Sequence, residues 1–140
     1  MSAILAPIHT ATLGKSTLRF FKSPSSQPEF CWHAHDDLVA CLGLPRHMRR
    51  QFQHMLANGP FKDDIRAVAT NAGIVTIAPH YVAQGLIGAA IDAGGISSKF
   101  EMEYAKAAVA AMNVLAGDLP PFASYEFIIA AAKNTLNGGK

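Results

Sequence analysis

The side chains best suited to binding chemistry lie close together in the chain, between positions 46 and 54. Arginine and glutamine can bond base edges and phosphates with two-pronged geometry, and histidine adds further donors. Positions 46, 49, 50 and 53 share roughly one face if the segment is a helix. The pattern predicts contact with nucleic acid. The predicted contact residues are Arg46, His47, Arg49, Arg50, Gln53, His54, Lys62 and Arg66.

Two short helices joined by a tight turn would position these side chains. The first is predicted over residues 36–42, with Asp36 as its N-cap and Gly43 as its stop. The second is predicted over residues 45–57, with Pro45 in a first-turn position where proline is tolerated. Its apolar face would consist of Met48, Phe52 and Met55. This helix pair resembles a helix-turn-helix.

The remaining segments predict two β-hairpins and a helical C-terminal part. One hairpin is expected within residues 17–32, with a long loop, and the other within 65–78, around a turn at 71–73. Helices are expected over 79–93, after Ser98 and over 124–136; Ser98 and Glu101 form a capping-box pattern. The predicted class is α+β, winged-helix-like, with the second hairpin as the wing and the last helices as a C-terminal subdomain.

Composition predicts one globular domain with a slightly basic front half. The chain has 140 residues, 50% of them hydrophobic and 16% charged, with net charge +2. Residues 1–66 contain eight Lys and Arg against five Asp and Glu, whereas residues 67–140 contain four against five. We expect an N-terminal arm over 1–16, a single domain over 17–136 and a frayed tail over 137–140.

The N-terminal sequence, the length of the apolar runs and the cysteine spacing predict a cytoplasmic protein. The apolar N-terminus has no basic region before it and is interrupted by Pro7 and His9, which argues against a secretory signal. No stretch approaches the roughly 18 apolar residues of a membrane span, so no membrane partner is expected. Cys31 and Cys41 form no C-x-x-C pair and are expected to be reduced and mostly buried.

Enzymatic alternatives have weaker support, and we predict that the protein is not an enzyme. His33 and His35, with a nearby carboxylate, could start a divalent-metal site, but no further ligand follows at metal-site spacing. Residues 14–17 (GKST) end like a phosphate-binding loop, yet they lack its first glycine and precede a strand. We therefore assign no catalytic residue, no metal site and no cofactor.

A protein-binding alternative stays open for the C-terminal helices. The alanine-rich stretch 105–111 and the apolar helix 79–93 would pack inside the chain or form a seam with a partner. The partner would be a second copy of the chain or another protein.

Several segments resemble the Bro-N domain of phage antirepressors and viral Bro proteins. Residues 30–38 (FCWHAHDDL) and 42–44 (LGL) are similar to the family's "wFvakDVakaLG" opening. Residues 71–77 (NAGIVTI) and 99–101 (KFE) fall where the family has later motifs, so the resemblance spans about residues 17–115. It implies DNA binding, gene regulation and contact with a repressor protein, and it supplies no catalytic residues. We expect a DNA-binding regulator, either a transcription regulator or antirepressor-like, that uses helix 45–57 and the wing.

Overall fold

Five antiparallel strands and five helices form the part of the chain that the computed structural model describes, residues 4–24, 29–117 and 121–136. The strands pair in the order β1-β2-β3-β5-β4. The predicted α+β class is confirmed. In chain order the elements are β1 His9–Leu13, β2 Ser16–Phe21, β3 Trp32–Ala34, α1 His35–Leu42, α2 Arg46–Asn58, β4 Arg66–Thr70, β5 Gly73–Ala78, α3 His80–Asp92, α4 Lys99–Ala116 and α5 Pro121–Leu136.

The N-terminal segment differs from the loose arm predicted for residues 1–16. Residues 9–13 form β1, which pairs with β2 from His9 opposite Phe20 down to Leu13 opposite Ser16. The two-residue turn between them is possible because Gly14 has φ 64°, a value that favours glycine. Upstream, the Leu5 N–H donates to the Ala69 carbonyl of β4, at the other edge of the sheet. The segment is therefore tied to both edges of the sheet. The tail predicted over 137–140 lies outside the described residues.

Both faces of the sheet carry buried side chains, because successive side chains along a strand point to opposite faces. On one face, Leu18 and Phe20 of β2 pack against helices in the main core. On the other, a smaller cluster contains Phe21 of β2, Trp32 of β3 and Ile77 of β5. Both predicted hairpins are present, since β2 pairs with β3 and β4 pairs with β5.

The helix pair is also present, with two changes at its helix starts. Gly43 ends α1 with φ 61°, as predicted. However, α1 begins at His35 after Ala34, and no side chain caps it, so the prediction of Asp36 as N-cap is wrong. Pro45 is the N-cap residue of α2, just before the helix, where its missing N–H costs no helical hydrogen bond. The turn between the helices is therefore only three residues long.

The C-terminal helices follow the apolar pattern, except at the start of α4. Ser98 precedes α4 but forms no side-chain cap, so the predicted capping box is absent. Instead, Ser97 Oγ accepts a hydrogen bond from the Lys99 N–H at 3.2 Å. Buried side chains occur all along α3, including Leu86 and Ile87, which confirms that this helix is part of the core.

Candidate nucleic-acid interface

An open groove lies between α1 and α2 and has a volume of about 430 Å³. Four polar side chains of α2 line one side, and a short stretch of α1 lines the other. We call this the α1–α2 groove; its lining residues are Asp36, Val39, Ala40, Arg46, Arg49, Arg50 and Gln53. Half of the predicted contact residues thus share one surface.

The helical period of α2 explains why these side chains meet there. Spacings of three and four residues repeat from Arg46 to Gln53, which places them on one side of the helix. Phe52 and Leu56 lie on the other side and are buried in the core. Burial of these two residues fixes the rotation of α2. Met55, predicted on the apolar face, is instead 47% exposed.

The groove carries three cationic groups and one carboxylate. Arg46, Arg49 and Arg50 are exposed, and none forms a salt bridge within the described residues. Asp36 is the only acidic residue among the described side chains that line the groove. The surface is therefore net positive and open to an anionic ligand.

The second carboxylate at the start of α1, that of Asp37, forms a salt bridge with an arginine of the sheet. Arg19 of β2 donates to Asp37 through Nε at 2.8 Å and through a second guanidinium nitrogen at 3.0 Å. The backbone N–H of Arg19 also donates to Asp37, at 3.0 Å. The bond to Asp37 raises the pKa of Arg19. Because Asp37 is neutralised in this way, it does not compete with a ligand for the arginines of α2.

The remaining predicted contact residues are exposed but lie outside the groove. His47 and His54 project from other sides of α2, and the His54 ring contacts the Asn58 amide at 3.3 Å. Lys62 follows the end of α2, and Arg66 begins the edge strand β4, opposite Ile77. The structure does not bring these four residues to the groove.

A second group of polar side chains lies inside the core. The rings of His33 and His80 contact Tyr104 of α4, with centroids 6.0 Å and 5.6 Å away. His35, at the start of α1, is also buried. Among the described residues, neither nitrogen of His33 or His35, nor His80 Nδ1, nor the Tyr104 hydroxyl has a hydrogen-bond partner. We call these four residues the histidine cluster.

Burial keeps the histidine cluster uncharged. Desolvation, with smaller contributions from His35 and His80, lowers the pKa of His33 to about 3. Burial likewise lowers the pKa of His35 and of His80. The neighbouring thiol of Cys31 is free, as predicted, and burial raises its pKa to about 12. Each of these shifts favours the uncharged form of its group.

The described residues contain no group of three His, Cys, Asp or Glu side chains that could hold a metal ion. The metal-dependent enzyme considered for His33 and His35 therefore has no ligand set in this part of the chain. The sequence predicts His80 as a further ligand only if folding brings it close, and it does not place Tyr104 beside these histidines, because both residues follow much later in the chain and carry no local motif.

None of the helices in the described part of the chain is long and apolar enough to cross a membrane. Comparisons with protein-family models, with curated proteins and with solved structures found no match to this chain. The side chains of the α1–α2 groove are therefore the basis for the function that we propose.

Proposed function

We propose that this protein is a regulatory protein that binds double-stranded DNA through the α1–α2 groove. The observation that carries the proposal is the convergence of Arg46, Arg49, Arg50 and Gln53 on one open surface, where the three arginines form no salt bridge with any residue that the structure describes. Guanidinium groups in this state can neutralise phosphates or form paired hydrogen bonds with guanine, and the glutamine amide can pair with adenine.

The order of elements supports the same function. In a helix-turn-helix, the second helix enters the major groove and contacts base edges with residues near its N-terminus. The three arginines lie in the first two turns of α2, next to the three-residue turn that follows α1. We infer a winged-helix-like mode of binding in which the β4–β5 hairpin acts as the wing and contacts the DNA backbone.

Two of the predicted residues outside the groove fit this mode of binding as phosphate contacts. Lys62 and Arg66 lie on the segment that leads from α2 into the proposed wing, and both are exposed. Phosphate contacts fix orientation and add affinity without reading sequence. The resemblance to the Bro-N domain adds gene regulation, and a repressor as a further partner, to the proposal.

The experiment is duplex binding at about 50 and 200 mM salt, because each phosphate contact adds about 0.9 to the slope of log affinity against log salt. We expect wild-type binding to weaken steeply between the two. The double variant Arg49→Ala/Arg50→Ala should lose about tenfold or more in affinity and about 2 in slope.

The matched control is Lys99→Ala/Lys106→Ala, which removes the same charge from exposed positions on α4. It should keep most of the affinity. Equal affinity and equal slope for wild type and the α2 double variant would contradict the proposal.

A second candidate function, protein binding, is favoured by the outer side of the last two helices. Met102, Val109 and Val114 of α4 are 47–62% exposed, and Ile129 of α5 is 38% exposed. Met102 and Val109 are seven positions apart and lie on one side of α4, and exposed apolar side chains that share a surface favour a protein contact. The partner would be a repressor protein or a second copy of the chain. A monomeric mass by light scattering at tens of micromolar would exclude the second copy, and binding to a repressor should lack the steep salt dependence of phosphate contacts.

A further inference from the structure

A cavity of about 230 Å³ lies between α4 and α5 and opens to solvent on one side. Phe30, His80 and Met112 are among the residues that line it. We call it the α4–α5 cavity. It is separate from the α1–α2 groove, with which it shares no lining residue.

Small side chains leave this space open. Ala105 and Ala108 of α4 and Ala132 of α5 all line the cavity. A larger residue at any of these positions would project into it. An apolar cavity of roughly 150 Å³ already binds benzene. The α4–α5 cavity is therefore large enough for one aromatic ring with a short substituent.

The chemistry of the walls favours an uncharged ring. No Asp, Glu, Lys or Arg is among the described residues that line the cavity, so a charged ligand would lose its hydration without an ion-pair partner. The Phe30 ring meets His80 edge-on at 5.3 Å, which gives the inner end an aromatic surface. Met112 adds a polarisable thioether, which packs well against aromatic rings.

Two polar groups give the cavity limited hydrogen-bonding capacity. His80 contributes an imidazole that burial keeps neutral, and Asn113 contributes an exposed amide. Both can serve a hydroxyl or an amine, and neither can balance a carboxylate. Few polar groups within an apolar pocket are typical of sites that orient a small molecule.

We propose that the α4–α5 cavity binds a small uncharged aromatic molecule that carries one hydrogen-bonding group, such as a monocyclic aromatic alcohol. This site does not depend on the proposed DNA binding. The ring contacts Phe30 and Met112, and the alanines leave room for it.

The test compares benzyl alcohol with benzoate, which have the same ring and differ in charge. Titration of the full chain, followed by calorimetry and by NMR chemical shifts, should show saturable binding of benzyl alcohol with a Kd of roughly 1 mM or tighter. Benzoate should bind at least about tenfold more weakly, because its desolvated charge finds no partner in the cavity.

Ala105→Leu fills the cavity from an exposed position of α4, where leucine ranks just below alanine in helix propensity. We expect this variant to remain folded and to lose benzyl alcohol binding. The matched control is Ala57→Leu, which adds the same side chain at an exposed position of α2 outside the cavity. It should bind like wild type.

Equal binding of benzyl alcohol to wild type and Ala105→Leu would overturn the proposal, as would equal binding of benzoate and benzyl alcohol. A different occupant is also testable by light scattering. If wild type is a dimer that Ala105→Leu dissociates, and no benzyl alcohol binds, a second copy of the chain fills the cavity and the proposal is wrong.

Discussion

The α1–α2 groove and the histidine cluster both contain nitrogen-bearing side chains that have no partner among the described residues, but their surroundings are opposite. In the groove, Arg46, Arg49 and Arg50 are exposed, so their donors are accessible to water. In the cluster, His33 is fully buried and Tyr104 is 2% exposed, and their unpaired atoms are shielded from water. The same lack of partners therefore has different consequences in the two regions.

In the groove, a ligand can replace water at little cost, so the unpaired groups are available for binding. In the cluster, each unpaired neutral group lowers the stability of the fold by about 1–3 kcal/mol, and protonation would cost more. The comparison indicates that the arginines of α2 serve binding, whereas the histidine cluster makes stability depend on pH. Three predictions test this distinction, from the largest expected effect to the smallest.

Acidification should destabilise the protein through His33. Its pKa is about 3 in the folded chain against 6.5 for an ordinary histidine, so the unfolded state binds the proton first as pH falls. The contribution of neutral His33 to the free energy of unfolding is fully present above about pH 6.5 and is lost as pH falls toward 3. By about pH 4 the loss through this one residue should be about 3 kcal/mol. Urea denaturation at pH 7 and pH 4 measures it.

The variant His33→Phe keeps a ring against Tyr104 and removes the proton-binding site. Its free energy of unfolding should therefore fall by about 3 kcal/mol less between pH 7 and pH 4 than that of wild type. Some dependence should remain, because burial also lowers the pKa of His35 and His80. The control His47→Phe, at an exposed position of α2, should behave like wild type. Identical pH dependence in wild type and His33→Phe would remove the contrast between the two regions.

The second prediction compares a paired arginine with an unpaired one. Arg19→Ala removes two hydrogen bonds to Asp37 and leaves that partly buried carboxylate with fewer donors. We expect a loss of about 1–2 kcal/mol in the free energy of unfolding. Arg49→Ala, in the groove, should change it by less than about 0.5 kcal/mol. Equal losses in the two variants, measured by urea denaturation at pH 7, would mean that Arg49 has a structural role.

Local patterns account for most of what the sequence predicts correctly. The helix pair follows from Gly43, Pro45 and the apolar spacing within α2, all of which act over a few residues. The second hairpin follows from its β-branched arms. The strand β1 was missed because its stretch HTATL is short and contains two threonines but no valine, isoleucine, phenylalanine, tyrosine or tryptophan, and because its pairing depends on the turn at Gly14.

In the candidate site, too, local patterns predict some residues and not others. The four groove residues of α2 could be placed on one face because a helix has a fixed period. Lys62 and Arg66 lie beyond the helix, where that period gives no information. The bond between Arg19 and Asp37 joins residues 18 positions apart in the sequence. The ring contacts of Tyr104 depend on how α4 packs on the sheet, and no local pattern specifies that.

The smallest expected effect concerns the hydroxyl of Tyr104. This group is buried without a partner among the described residues, so Tyr104→Phe should raise the free energy of unfolding by about 1 kcal/mol while keeping the ring contacts. Tyr81 is the matched control, since its side chain is half-buried and burial together with the interaction with Asp64 raises the pKa of its phenol to about 12; Tyr81→Phe, which removes that interaction, should lower stability by about 0.5 kcal/mol. Opposite signs in urea denaturation at pH 7 would support the comparison. A clear loss in Tyr104→Phe would show instead that the hydroxyl is satisfied within the core, and the cost assigned to the histidine cluster would then be too large.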